Sequence, residues 1–275
     1  MRNVILGCAW QYQPDELAPF VLSWKRHCPE IEMILIIEPD ATEEKIMWLL
    51  DQGVNLKFFT SGYFIQTNIA NSRYFAYLDI LLEEQFNYDR VFLTDTRDVV
   101  FQGNIFNQIP EEGIHIFLED SKYTCAEPFN HGILSACYGD TVASLFHRKP
   151  IICCGTVLGD MTSTLQYLIS MTSARSLEQL VNEGMEPGWD QACHIYMFHT
   201  YRMMHTKHEN GDGVATLCLT DPADIELDGE IVRTYGQTPA IIHQWDRHQN
   251  LIDLYKIIFE KSDFAYLHFI HSGID

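Results

Sequence analysis

The sequence predicts an α/β fold with a mostly parallel central sheet flanked by helices. Three observations carry that expectation. Short strand-like segments, with apolar runs of up to five residues, alternate with longer segments of helical spacing through residues 1–95. The runs show no polar alternation, which marks strands buried on both faces. Proline, glycine and cap-forming residues separate them at the spacing of βαβ units. At 275 residues without an internal repeat or a long linker, the chain reads as one domain, 1–275.

Residues 3–8 (NVILGC) form the first strand. Residues 17–27 have helical apolar spacing and end before Pro29. Residues 32–37 (EMILII) form the second strand, closed by Pro39. Thr42 caps a helix reaching Gln52, with Gly53 at its end. A short strand at 55–59, a long amphipathic helix at 68–85 and a strand at 90–94 (RVFLT) complete this half. The second half is less regular. Strands are expected at 114–118, 151–157, 214–219, 231–235 and 240–243, and helices at 141–146, 164–182, 190–198 and 251–259. A helix over 196–208, carrying His199, His205 and His208, reads as core plus solvated face rather than a metal site. The tail 264–275 either folds over the site or frays.

Composition narrows the function. Eighteen basic side chains against thirty-eight acidic ones give a formal charge of −20. Such a field repels nucleic acid and anionic lipid. An anionic small ligand would need a metal ion or a local nest to screen it. No apolar run approaches the roughly twenty residues of a membrane span. No secretory leader opens the chain, so a cytoplasmic location is expected, with peripheral membrane contact left open. The eight cysteines form no C-x-x-C pair and read as reduced, small hydrophobes.

Residues 90–102 (RVFLTDTRDVVFQ) are the most informative stretch. An apolar strand delivers Asp95 and Asp98 to its carboxyl end, where open α/β sheets bind ligands. Two carboxylates three apart could share Mn²⁺ or Mg²⁺, and the metal would in turn carry an anionic diphosphate. Alternatively, both acids cap a turn, with Arg97 as a local ion-pair partner. Glu119 and Asp120 end another strand, either as a general base or acceptor contact or as a solvated turn.

The stretch resembles the D-x-D region of GT-A-type glycosyltransferases, here spaced D-x-x-D. The resemblance implies a GT-A-like, Rossmann-like fold with a nucleotide-binding half at 1–102 and a donor-sugar and acceptor half at 103–275. It extends to an arginine helix, Asn71-Ser72-Arg73-Tyr74, whose Arg73 would reach the donor. It includes Cys154-Gly155-Thr156-Val157-Leu158-Gly159, where Gly155 and Thr156 would line the donor sugar. Gly188-Trp189-Asp190-Gln191 is similar to the Asp-Gln of retaining members, so Asp190 and Gln191 would be catalytic, although Asp190 also suits a helix N-cap. A late histidine, His243 with His248 as runner-up, would join Asp95 and Asp98 on the cation, with Asp246 and Arg247 orienting it or contacting phosphate. Trp10 or Tyr12, after the first strand, would stack on the base or pack on the core.

The function so implied is metal-dependent transfer of a sugar from a nucleotide-diphosphate sugar, a UDP-sugar above others, to a glycan acceptor. Retention follows if the Asp190-Gln191 resemblance holds; inversion is left open, with Asp190, Glu119 and Asp120 as the candidate bases. Three alternatives stand beside it. A nucleotidyltransferase would show a glycine-rich loop where this chain has only Gly7 before Trp10. A phosphatase using Asp95 as nucleophile would place its second acid two residues on rather than three. A non-catalytic glycan-binding protein could keep the fold without the chemistry.

Overall fold

The computed structural model describes residues 2–59, 67–85, 87–183 and 188–259; the tail 264–275 lies outside them. In chain order the first half runs β1 (Asn3–Cys8), α1 (Pro14–His27), β2 (Glu32–Ile37), α2 (Glu43–Asp51), β3 (Asn55–Phe58), α3 (Ile69–Glu84), β4 (Arg90–Thr94) and β5 (Val99–Phe101). Then follow β6 (Ile114–Leu118), α4 (Pro128–Tyr138), α5 (Asp140–Leu145), β7 (Ile152–Asp160), α6 (Met161–Ala174), α7 (Leu177–Glu183) and α8 (Trp189–His199). The last are β8 (Thr206–His208), β9 (Val214–Thr216), β10 (Ile225–Asp228), β11 (Ile231–Thr234), β12 (Ile241–His243) and a helix over 249–259, α9.

The central sheet has seven strands in the order β3-β2-β1-β4-β7-β6-β8. Four of its six neighbouring pairs are parallel; β7 runs antiparallel to both β4 and β6. Alternate strand residues feed two cores. Leu6, Ile34, Leu93 and Val157 pack with Tyr77, Leu81, Tyr167 and Phe198 on one face. Ile5, Leu35, Phe92 and Leu158 pack with Phe20, Trp24 and Leu49 on the other. Burial on both faces is why these strands read as unbroken apolar runs. A second sheet, β5-β12-β9, lies past the carboxyl end of β4, and β10 and β11 form a hairpin.

Local chemistry sets the helix ends. Thr42 accepts from the Lys45 N–H, as its cap role requires, and Gly53 takes φ 89° just beyond α2. The predicted helix 164–182 is two helices. Ser176 and Gln179 exchange side-chain and backbone hydrogen bonds, and this capping box restarts the chain as α7. The expected helix through 196–208 stops at His199, and residues 206–208 instead pair in parallel with β6 at the sheet edge. Tertiary pairing overrides propensity there. Helix α4 escaped the sequence pattern, although Pro128 at its first turn and the Glu127 carboxylate on two backbone N–H groups are helix-start signals.

One buried ion pair shapes the loop after β1. Lys45 Nζ donates to the Ala9 carbonyl at 2.7 Å and to both Glu38 oxygens at 2.8 and 2.9 Å. Glu38 Oε2 also accepts from the Gln11 N–H at 2.8 Å, and Gln11 takes a left-handed φ of 61°. Removing one partner strands a buried charge, which costs about 3–5 kcal/mol. Lys45→Met should therefore lower unfolding free energy by about that amount in urea titrations. Glu38→Gln in the same chain should restore most of it, because a neutral amide still accepts from Gln11.

Candidate metal centre

β4 stops at Thr94 because the chain must turn, and the turn is fixed by main-chain bonds. The Asp95 N–H donates to the Gly155 carbonyl of β7 at 2.8 Å. Thr96 Oγ1 donates to the Cys8 carbonyl at 2.9 Å, tying the turn to the end of β1. The chain then enters β5, which pairs antiparallel with β12 so that Val99 opposes His243. The Gln244 N–H donates to the Asp98 carbonyl at 2.7 Å. Two sheets meeting at this turn thus bring Asp95, Asp98 and His243 together.

His243 Nε2 lies 3.3 Å from Asp95 Oδ2 and 3.8 Å from Asp98 Oδ1. One ligand atom from each residue falls within 4.8 Å of the others. Atoms each about 2.1 Å from a small divalent ion lie no more than about 4.2 Å apart, so the cluster is close to ligating geometry. His243 Nε2 is buried and makes no hydrogen bond, although it faces two carboxylates. An orphaned buried nitrogen beside two hard oxygens fits a divalent cation, and these three residues could hold one.

The space exists because position 155 is glycine. A Cβ there would stand 2.5 Å from Asp95 Oδ2 and 2.5 Å from His243 Cε1. The acids are kept together by Arg73 of α3, whose buried guanidinium pairs with Asp95 Oδ1 and lies 3.5 Å from Asp190 Oδ2. Burial pushes the Asp95 carboxyl up, but Arg73 and His243 override it and leave it well below the usual carboxylate range. Burial pushes Asp98 up, with the Asp95 and Asp246 carboxylates adding to it. Burial also raises Asp190, against Arg73. His243 is pulled down by burial, yet Cys153 and the two carboxylates carry it well above its ordinary value.

Asp190 and Gln191 flank this site, opposite Arg73. Asp190 is not the N-cap: Gly188, at φ 94°, takes that place. The Asp190 N–H donates to Asn71 Oδ1 at 3.3 Å, and Cys154 Sγ approaches its carboxylate at 3.4 Å. Gln191 is committed to structure. Its Oε1 accepts from the Cys154 N–H at 2.9 Å, and its Nε2 donates to the Ile152 carbonyl at 3.0 Å and to Asn130 at 3.3 Å.

Other sequence candidates fall further away. Thr156 is fully buried, on the face of β7 opposite Gly155. Trp10 packs into the core beside Leu6 and Leu93. His248 donates to the Leu217 carbonyl at 2.8 Å and stands outside the cluster. Arg97 pairs mainly with Asp246, at 2.9 Å, and more loosely with Asp98, at 3.8 Å. The Arg97–Asp246 pair forms one wall of a cleft of about 840 Å³, which Gln13, Glu16, Trp245 and Tyr255 also line.

Glu119 and Asp120 are buried rather than a solvated turn, because the chain after β6 stays paired through the Glu119 N–H to the Ile151 carbonyl. Phe117 opposes Cys153 in the β6–β7 register, so Glu119 points to the same sheet face as Cys153, whose sulfur touches His243. Burial pushes the Glu119 carboxyl up to about 7, with the His243 charge opposing and Glu127 adding. All eight cysteines are free. No family model matches the chain, and no curated protein matches it. No helix of the described residues is long and apolar enough to cross a membrane.

Two outcomes follow from this geometry. Gly155→Ala should cost at least tenfold in Mn²⁺ affinity, read by electron paramagnetic resonance titration, while the far-ultraviolet circular dichroism is unchanged. Glu119 binds its proton more tightly folded than unfolded. Its contribution is therefore full below the ordinary value of 4.5 and is lost as pH rises through about 7. Glu119→Gln should consequently gain stability relative to the parent between pH 4.5 and 8, by up to about 3 kcal/mol in metal-free urea titrations.

Proposed function

We propose that the protein is a metal-dependent glycosyltransferase that moves a sugar from a nucleotide-diphosphate sugar to a glycan acceptor. The observation that carries this is the Asp95–Asp98–His243 cluster at the carboxyl end of β4, beside a buried arginine. The sheet order is consistent with a GT-A-like fold: parallel β3-β2-β1-β4, then β7, which is antiparallel to both β4 and β6. The acidity of the chain agrees as well, since an anionic donor needs a cation to approach a surface of charge −20.

Asp95 Oδ2, Asp98 Oδ1 and His243 Nε2 would hold the cation. The imidazole favours Mn²⁺ over Mg²⁺. When bound, the ion would offset negative charge on the leaving diphosphate. The chain's own residues do the rest. Arg73 keeps Asp95 ionised and turned toward the cluster, and holds Asp190, whose carboxylate lies beside the Cys154 sulfur. Gln191, with both ends of its amide bonded, anchors α8 to β7 and so positions Asp190 rather than meeting the reacting carbon.

Two carboxyls flank the site, and they differ. Asp190 is tied to Arg73, whereas no hydrogen bond holds the Glu119 side chain among the described residues, and its proton is exchangeable near neutral pH. Glu119 is the group suited to take the proton of an acceptor hydroxyl. In that step the acceptor oxygen bonds to the anomeric carbon, the bond to the diphosphate oxygen breaks with its electron pair, and the configuration inverts. Transfer that survives Glu119→Gln with retained configuration would assign the donor-side Asp190 the larger role. A nucleotidyltransferase is disfavoured, because the loop after β1 is closed by Lys45 and Glu38 rather than opened for a triphosphate.

Calorimetry with UDP, GDP and CMP, each with and without Mn²⁺, tests this function. One nucleotide should bind only with the metal, and Asp98→Ala or His243→Ala should weaken that binding by tenfold or more without unfolding the protein. Metal-independent binding, or full binding by both variants, would overturn the assigned site.

A further inference from the structure

His243 offers its Nε2 to the two acids and its Nδ1 to Cys153. The Cys153 Sγ lies 3.4 Å from Nδ1, and both residues are buried. The contact is built into the sheets. β7 is irregular between Cys153 and Val157, where its register with β6 shifts. There the Cys153 sulfur and the open side of Gly155 both face the His243 ring of β12, whose carbonyl accepts from the Leu217 N–H at 2.9 Å. His243 Nε2, meanwhile, has no hydrogen bond and lies 3.3 Å from Asp95 Oδ2.

A neutral imidazole carries one proton. It can present a lone pair at Nε2 only when that proton sits on Nδ1, so the group facing Nδ1 selects the ligating form. We propose that Cys153 is a positioning residue whose sulfur accepts the Nδ1–H of His243 and so aims the Nε2 lone pair at the cation. This rests on the metal assignment made above.

The opposite polarity is incompatible with ligation. A thiol donating its own S–H to Nδ1 would leave the imidazole proton on Nε2, pointing at Asp95 in the place a cation takes. From the imidazolium, which carries a proton on both nitrogens, a bound cation would take the place of the Nε2 proton, which would go to solvent, and the Nδ1–H would stay on sulfur. Sulfur is a weak acceptor, so this is a soft restraint on the ring. A serine hydroxyl of similar size can accept the same proton, whereas alanine offers nothing, and buried Nδ1–H would then lack a partner.

The test uses the full chain and Mn²⁺ alone, without nucleotide. Mn²⁺ affinity is titrated by electron paramagnetic resonance for the parent, Cys153→Ala and Cys153→Ser. Outer partners of metal-ligating histidines typically contribute 10–100-fold in metal affinity. Cys153→Ala should weaken binding within that range, and Cys153→Ser should restore it. Imidazole ¹⁵N spectra of the Mg²⁺-loaded proteins should show the Nδ1-protonated form of His243 in the parent and Cys153→Ser, and a mixture in Cys153→Ala. Equal affinity and an unchanged tautomer in Cys153→Ala would overturn the role of Cys153. Failure of the parent to bind Mn²⁺ would overturn the metal site itself, a distinct result.

Discussion

A single buried guanidinium makes this site possible. Arg73 rises from α3 between Asp95 and Asp190 and pairs with both. Carboxylates set this close in a chain of charge −20 would otherwise repel or take up protons. With Arg73 in place, Asp95 stays ionised despite burial and can face His243. The rest of the architecture secures the arginine. Asn68 caps α3 by accepting from the Ala70 N–H, and the next turns bury Tyr74 and Tyr77 against the sheet. Burial also removes competing water, which strengthens the pairing.

Main-chain bonds, rather than side-chain contacts, place the other groups. Asp95 is bonded to Gly155 across β4 and β7, and Asp98 to Gln244 across β5 and β12. Such bonds carry little conformational freedom, so the three candidate ligands converge without a dedicated loop. The absent Cβ at Gly155 supplies the space, and Cys153, in the irregular stretch of the same strand, meets the far side of the His243 ring.

Much of this was legible in the sequence where local chemistry and fold agree. The N-terminal strands are buried on both faces and read as continuous apolar runs, and Thr42 carries its own cap signal. Arg73, the Asp95 and Asp98 pair, Asp190 and His243 come from separate parts of the chain, yet the structure unites them. The failures have physical causes. Residues 206–208 are a strand because β6 offers an edge, a tertiary fact no window reveals. Glu119 looked like a solvated turn residue because carboxylates are rarely buried, and its burial comes from pairing beyond the end of β6. Gln191 reads as catalytic only through the family resemblance, and no sequence window shows that its amide is bonded to β7 and α4. Cys153 read as a small hydrophobe, because only the β7–β12 approach shows what its sulfur touches.

The central claim is that two carboxylates and one imidazole form a divalent cation centre. Electron spin-echo modulation of the protein loaded with one equivalent of Mn²⁺ addresses it directly. One ¹⁴N coupling typical of a single coordinated imidazole is expected in the parent and should vanish in His243→Gln. Manganese that binds without any nitrogen coupling, or whose coupling survives that substitution, would contradict the account.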